Sequence, residues 1–292
     1  MDHNPVNRQR PSPIQEGTRT VAVRCRRGEV WGSEVTPWGS RGALTPIFDE
    51  GLTQLAALVR SRPLLAFDYD GTLAPIVADP RRARMREATR RLFADLTHRF
   101  PCVVVTGRSR DDVLRFLGAA EPAQVIGNHG AETGDDGLLP PSDLVSIWRS
   151  ELDERLETMP GIEIEDKSYS LTIHYRACPD RHAARTLAMR ASAALDQVRI
   201  VTGIESLNLV PRGLPDKGSA TLRACERFQC DKALFVGDDQ TDEDAFSADP
   251  ARILGVRIGR SERSGASYCL RNQLEIDLLL GRLVELHGEW SN

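Results

Sequence analysis

The sequence is short of aromatic residues, of long apolar runs and of paired cysteines, and each shortage removes a class of protein. Phe, Trp and Tyr together make up 5% of the 292 residues, against 27% charged and 40% apolar. That profile fits a soluble α/β protein rather than a disordered chain or a nucleic-acid binder. Apolar runs such as Leu64 to Phe67 and Ala233 to Val236 fall far short of the ~18 residues a bilayer span needs, so no membrane association is expected. They have the length of buried strands. The six cysteines (Cys25, Cys102, Cys178, Cys225, Cys230 and Cys269) include no C-x-x-C pair. Unpaired thiols in a reducing cytoplasm are the expected state.

Charge is scarce in net terms but unevenly placed. The whole chain carries -4, while residues 1–46 hold seven Arg and four acids, leaving -7 on the rest. An acidic body does not attract nucleic acid through its field, and to handle an anionic phosphate it needs a cation. Residues 1–46 have scattered Pro, Gly and Arg and no period longer than Val21 to Val23, so a flexible tail is expected, with Trp31 and Trp38 free to dock elsewhere. Arg26-Arg27 lacks the apolar segment of a twin-arginine signal, and Asp2, Glu16, Glu29 and Glu34 interrupt any transit peptide.

What is present, from Phe48 onward, is alternation of strand and helix. An amphipathic stretch reaches Arg60, and Leu64 to Phe67 then reads as a strand ending on Asp68. Helices are expected at Arg86 to His98 and Arg110 to Leu117, with strands at Cys102 to Val105 and Gln124 to Ile126. Later come a helix at Asp216 to Phe228, strands at Ala233 to Val236 and Arg252 to Ile258, and a last helix at Asn272 to Leu286. This is the signature of an α/β, doubly wound parallel sheet. Between Gly137 and Pro211 the texture changes: Leu171, Ile173 and Tyr175 alternate with Thr172 and His174 as in a half-exposed antiparallel strand. Strands at Ile162 to Glu165 and Ser206 to Val210 can pair with it, and helices are expected at Asp143 to Thr158 and Asp180 to Asp196. The expected organisation is a tail (1–46), a core (47–136 and 212–292) and an inserted α+β cap domain (137–211) placed to close over the strand ends.

Three of the buried runs end in polar residues that share the carboxyl-end crevice: Asp68-Tyr69-Asp70-Gly71-Thr72, Thr106-Gly107-Arg108, and Gly237-Asp238-Asp239-Gln240-Thr241-Asp242. Asp68 and Asp70, two apart on extended backbone, point the same way, and with Asp238 they repel strongly and, unless protonated, call for a hard cation, with Mg²⁺ the first choice. An EF-hand loop over Asp68 to Asp79 fails, because Gly is fourth instead of sixth and a strand precedes it. Glu243 and Asp244 suit the first turn of a helix without any further role. Alone, Thr106 reads as a turn residue and Lys217 as a surface lysine.

Taken in order, Asp68-x-Asp70-Gly71-Thr72, Thr106, Lys217 and Gly237-Asp238-Asp239-x-x-Asp242 resemble the four motifs of the haloacid dehalogenase superfamily of phosphohydrolases. More narrowly, residues 48–287 are similar to trehalose-6-phosphate phosphatases, through Gly127-Asn128-His129-Gly130-Ala131-Glu132, the segment from Glu165 to Arg176, and the segment from Gly237 to Phe246. Where that family commonly has a cap glutamate, three residues before the proline leading to Asp216-Lys217-Gly218, this chain has Asn208. The resemblance implies a haloacid dehalogenase core and a Mg²⁺-dependent phosphatase converting trehalose 6-phosphate to trehalose and phosphate through an aspartyl phosphate. It implies catalysis by Asp68 and Asp70, phosphate binding by Thr106, Gly107, Arg108 and Lys217, and metal binding by Asp68, Asp70, Asp238 and Asp239, with Asp242 ordering the surrounding shell. Sugar binding would fall to Glu165, Lys167, His174, Arg176, Asn208 and His129, with Glu165 and Lys167 on one strand face and His174 and Arg176 on the next. Phosphatases of sucrose phosphate or mannosyl-phosphoglycerate, or a silent sugar-phosphate-binding regulatory domain, stay open as alternatives. A cytoplasmic monomer is expected, with a link to a trehalose-phosphate synthase open.

Overall fold

Four successive residues, Leu64 to Phe67, are fully buried, so the strand they form needs a cover on both faces. In the computed structural model, which describes residues 44–134, 143–203 and 205–291, they form β1 (Leu64–Phe67). Leu65 and Phe67 enter one apolar cluster and Leu64 and Ala66 a second, as a side-chain period of two requires. The chain continues through β2 (Cys102–Val105) and β3 (Gln124–Ile126). It then leaves for β4 (Glu163–Asp166), β5 (Leu171–His174), β6 (Val198–Gly203) and β7 (Ser206–Pro211). It returns for β8 (Ala233–Gly237), β9 (Ile253–Ile258) and β10 (Tyr268–Leu270).

These strands make two sheets: a six-stranded one ordered β10-β9-β8-β1-β2-β3, parallel at every pairing, and a four-stranded antiparallel one ordered β4-β5-β7-β6. The parallel order runs outward from β1 both ways, so connections diverge there and leave a crevice at the carboxyl ends of β1 and β8.

Helices fill the connections. α1 (Ile47–Glu50) and α2 (Leu52–Arg60) precede β1, and α3 (Glu87–Thr97) and α4 (Arg110–Leu117) flank β2. α5 (Asp143–Leu156) and α6 (Arg181–Ala193) serve the antiparallel sheet. α7 (Lys217–Arg227) leads back to β8, α8 (Glu243–Ala248) follows it, and α9 (Ile276–Ser291) is last. Leu55, Phe93, Val113 and Leu280 from α2, α3, α4 and α9 cover one face of the parallel sheet. Ala220, Ala224 and Phe246 from α7 and α8 cover the other. The alanines let α7 lie close to the sheet, which brings its first residue, Lys217, to the crevice. The antiparallel sheet has a separate core, in which Trp148, Leu152, Ala184 and Ala188 pack on Ile173 and Leu207.

Several expectations are corrected. The amphipathic stretch before Arg60 breaks at Gly51, which ends α1 with its N–H on Ile47 O. The last helix starts at Ile276, after a 3₁₀ turn capped by Asn272, and runs on to Ser291. β6 and β10 were not expected. β5 is not half-exposed: Thr172, on its polar face, is 2% exposed because that face roofs the crevice. Of the expected tail, Leu44 to Pro46 are described; Thr45 O accepts from Cys269 N, which sets these residues beside β10. The rest of the expected tail, with Trp31, Trp38 and Cys25, and residues 135–142, where the core was expected to pass into the cap, lie outside the described residues. Among the described residues no helix is long and apolar enough to cross a membrane.

Candidate active site

β1 and β8 are register partners, with Phe67 opposite Val236, so the residues that follow them emerge side by side. Those residues are Asp68 and Asp238. With Asp242, from the 3₁₀ turn after β8, they offer three carboxylate oxygens within 4.8 Å of one another. Lys217 is the first residue of α7, set there by the capping box of Asp216 and Ser219. Its Nζ donates to Asp68 Oδ1 at 2.9 Å and Asp242 Oδ1 at 2.7 Å.

Two glycines make the crowding feasible. A Cβ on Gly71 (φ +77°) would lie 2.1 Å from Asp238 Oδ2, and one on Gly237 would lie 2.2 Å from Asp242 Cγ. Gly71→Ala is therefore expected to push Asp238 out of the cluster and to cost about 2–3 kcal/mol of stability in denaturant unfolding. Wild-type stability in that variant would show that the loop gives way freely.

One ammonium against three carboxylates leaves two negative charges uncompensated. Burial, opposed by Lys217 and reinforced by Asp242 and Asp238, pushes the Asp68 carboxyl well above the usual range. Burial and Asp242 push Asp238 up to about 7. Burial opposes the charge on Lys217, but Asp242 and Asp68 outweigh it and hold the ammonium protonated. Asp238 Oδ1 is buried without a hydrogen-bond partner. A carboxylate oxygen with no donor, beside an excess charge of two, is what a divalent cation would satisfy, and all the donors are hard oxygens. The acid cluster thus fits a metal ion.

Past β2, Thr106 is buried and its Oγ1 accepts from Arg108 N at 3.2 Å. Arg108 lines the crevice, but its guanidinium is already engaged. Its guanidinium makes a two-point pair with Asp70, at 2.5 and 2.7 Å, and reaches Pro80 O at 2.8 Å. Asp70 is thereby oriented beside Asp68. After β3, Asn128 (φ +48°) and His129 (φ +58°) are left-handed, and His129 N–H donates to Thr106 O. The His129 ring lies against Gly107, where a Cβ would be 2.5 Å from its Cε1. Burial, with Lys217, Lys167 and Arg199 adding to it, holds this imidazole neutral.

The antiparallel sheet faces these groups. Glu165 Oε2 lies 2.9 Å from His174 Nε2 and 3.8 Å from Lys167 Nζ. The His174 contact, with help from Lys167, holds the Glu165 carboxyl below its ordinary range. Lys167 lies just beyond the end of β4, not within a strand face, and its Nζ reaches across to Gly107 O at 3.3 Å. Asn208 Oδ1 accepts from Thr172 Oγ1 at 2.9 Å. Arg176, also beyond its strand, pairs with Glu205 and donates to Ala78 O. A cavity of about 260 Å³ separates the two sheets, and every residue singled out above for catalysis, phosphate, sugar or metal lines it except Asp242. Asp239 lines it too but is not in the carboxylate cluster, where Asp242 stands instead.

Arg257 escaped the sequence reading. From β9 it donates to Asp238 O at 2.6 Å, Asp239 O at 3.0 Å and Glu243 Oε1 at 2.9 Å, holding the acidic turn by its backbone. The one signal was a lone charge inside the apolar run Ile253 to Ile258.

Comparison with known proteins agrees with this geometry. The trehalose-phosphatase family model matches residues 66–258. "Probable trehalose-phosphate phosphatase 4" of Oryza sativa subsp. japonica is 32% identical over 254 residues, covering 80% of this chain and 69% of that protein. The trehalose-phosphate phosphatase of Mycobacterium avium (strain 104) is 33% identical over 248 residues, covering 80% of this chain and 63% of that one. In fold, the C-terminal domain of the C. albicans trehalose-6-phosphate phosphatase superposes with a TM-score of 0.69 at 22% identity, over 84% of this chain and 99% of that one. On these grounds the chain belongs to the trehalose-phosphatase family and is a phosphoric monoester hydrolase.

Proposed function

We propose that this enzyme hydrolyses trehalose 6-phosphate to trehalose and phosphate in the cytoplasm, through an aspartyl-phosphate intermediate and with Mg²⁺ as cofactor. The observation that carries the reading is the pair of charged clusters facing across one cavity: Asp68, Lys217, Asp242 and Asp238 at the parallel sheet, and Glu165, Lys167 and His174 at the antiparallel one. Residues 47–136 and 212–292 act as the catalytic core and 137–211 as a cap that reads the sugar.

In the proposed reaction Lys217 occupies Asp68 Oδ1 and leaves Oδ2 to attack phosphorus. As the Asp68 O–P bond forms, the bond from phosphorus to the sugar oxygen breaks, and Asp70, oriented by Arg108, protonates the departing oxygen. Asp70 then takes a proton from the water that attacks the aspartyl phosphate, releasing phosphate and restoring Asp68. Thr106 and the backbone at Gly107, with Lys217 at the start of α7, hold the phosphoryl oxygens. Arg108 thus serves Asp70 more than the phosphate. The Asp68 and Asp238 carboxylates and the Asp70 carbonyl would hold Mg²⁺, with Asp239 and Asp242 ordering its surroundings. The ion supplies positive charge that lets a dianionic phosphate approach this acidic crevice.

On the cap side Glu165, Lys167, His174 and Asn208 present donors and acceptors to sugar hydroxyls, and Arg176 and His129 border them. Phosphate release from a panel of sugar phosphates tests the assignment. Trehalose 6-phosphate is expected to be the best substrate; preference for sucrose phosphate or mannosyl-phosphoglycerate would replace it. Lys167→Ala should lower kcat/KM for trehalose 6-phosphate by roughly 10- to 150-fold, the value of a hydrogen bond to a charged group, and leave p-nitrophenyl phosphate nearly unaffected. Equal losses on both esters would remove Lys167 from sugar recognition.

A further inference from the structure

Asn128 is 1% exposed and lines no part of the cavity, yet its amide joins the two halves of the active site. Nδ2 donates to Glu132 Oε2 at 2.9 Å and to Lys167 O at 3.3 Å, while Oδ1 accepts from Ser170 Oγ at 3.0 Å. The orientation of the amide follows from its partners, since turning it over would set oxygen against a carboxylate and a carbonyl. On the core side the grip is rigid. Glu132 Oε2 also accepts from Arg110 N at 2.8 Å, in the first turn of α4, and Glu132 pairs with Gly127 through two backbone hydrogen bonds. On the cap side Asn128 holds a tight turn in which Lys167 N donates to Ser170 O, Tyr169 N donates to Lys167 O, and Ser168 is left-handed at φ +67°.

Lys167 is thus fixed at both ends. Its carbonyl is held by Asn128, and its ammonium lies on Gly107 O, next to Thr106. Other polar ties across the cleft, Arg199 to Asp244, Arg176 to Ala78 O and Thr202 to Gln240, are partly or fully exposed, whereas Asn128 and Ser170 are both 1% exposed. Each sheet also has its own apolar core, to which this amide adds nothing. Its bonds therefore act on the relative placement of the two sheets, not on the integrity of either.

We infer that Asn128 is a positioning residue: it latches the Lys167–Ser170 turn onto the loop 127–132 and so sets the Lys167 ammonium above the phosphate-binding loop. The kinetic consequence rests on the proposed reading of Lys167 as a sugar ligand; the latch itself does not.

The test uses the full chain and three variants. Asn128→Gly removes the amide while tolerating the left-handed backbone, Ser170→Ala removes one of its bonds, and the third combines them. Asn128→Gly should lower kcat/KM for trehalose 6-phosphate roughly tenfold, mostly through KM, and leave p-nitrophenyl phosphate within about twofold. Hydrogen exchange at the Lys167 and Tyr169 amides should speed up about tenfold, with β1 and β8 unchanged. The double variant should lose no more than Asn128→Gly, because the Ser170 hydroxyl acts only through Asn128. Unchanged exchange in the turn, additive losses, or equal losses on the two esters would overturn the latch. If Asn128→Gly does not fold, Ser170→Ala carries the same comparison, with a loss of about threefold expected. A wild-type enzyme inert toward trehalose 6-phosphate would refute the proposed substrate instead, and the exchange rates would still decide on Asn128.

Discussion

Asp68→Asn is expected to lower kcat by at least about 10⁴-fold without unfolding the protein. The carboxamide has nearly the shape of the carboxylate but is a poor nucleophile, so the proposed covalent step would be lost while the packing at the end of β1 is kept. Stability is not expected to suffer. Burial and the neighbouring carboxylates already disfavour charge on Asp68. Lys217 keeps its 2.7 Å bond to Asp242, and an asparagine oxygen can still accept from its ammonium. The thermal midpoint should therefore stay within a few degrees of wild type, whereas removal of the cation by Lys217→Met should lower it sharply, because Asp68 and Asp242 would be left buried and unpaired. Acid-quenched wild type incubated with labelled substrate should carry phosphate on the protein, and Asp68→Asn should carry none. A variant that retained more than about 1% of wild-type turnover would sink covalent catalysis through this residue.

Much of this was legible in the sequence because it depends on short-range patterns. Buried strands are continuous apolar runs, and an acid directly after such a run must emerge at the carboxyl edge of a parallel sheet. Asp68 and Asp238 could be placed together on that ground alone. β6 and β10 were not legible for the opposite reason: β10 has three residues at an edge, and β6 is half-buried with an arginine inside it, so neither has a distinctive period. Which acid joins the cluster also depends on backbone detail beyond spacing. The 3₁₀ turn after β8 carries Asp242 back beneath Gly237, where it is 0% exposed, and directs Asp239 elsewhere in the cleft. The pair of Arg108 with Asp70 joins residues 38 positions apart, and only the folded sheet shows that the arginine is engaged by a carboxylate.

Chelation should abolish turnover, and added Mg²⁺ should restore it, with Ca²⁺ a poor replacement because it prefers longer bonds and more ligands. If it occupies the native acid cluster as proposed, the same ion should stabilise the fold, since the unfolded chain has no comparable site. The sign of the pH dependence follows from Asp238. Its folded pKa of about 7 exceeds the ordinary value of 3.8, so the native state binds more protons than the unfolded one between those limits. In metal-free protein this group's contribution is therefore most favourable at low pH and declines as pH rises toward 7. A divalent cation pairs with the ionised carboxylates and removes that decline, so the rise in thermal midpoint on adding Mg²⁺ should be larger at pH 7.5 than at pH 5. Asp238→Asn should lose the Mg²⁺-dependent rise and this group's own share of the pH dependence, because the amide neither titrates nor supplies the charge the ion requires. A chelated sample with full activity would contradict the metal assignment outright. A Mg²⁺ shift that survived in Asp238→Asn would place the ion somewhere other than between the ends of β1 and β8.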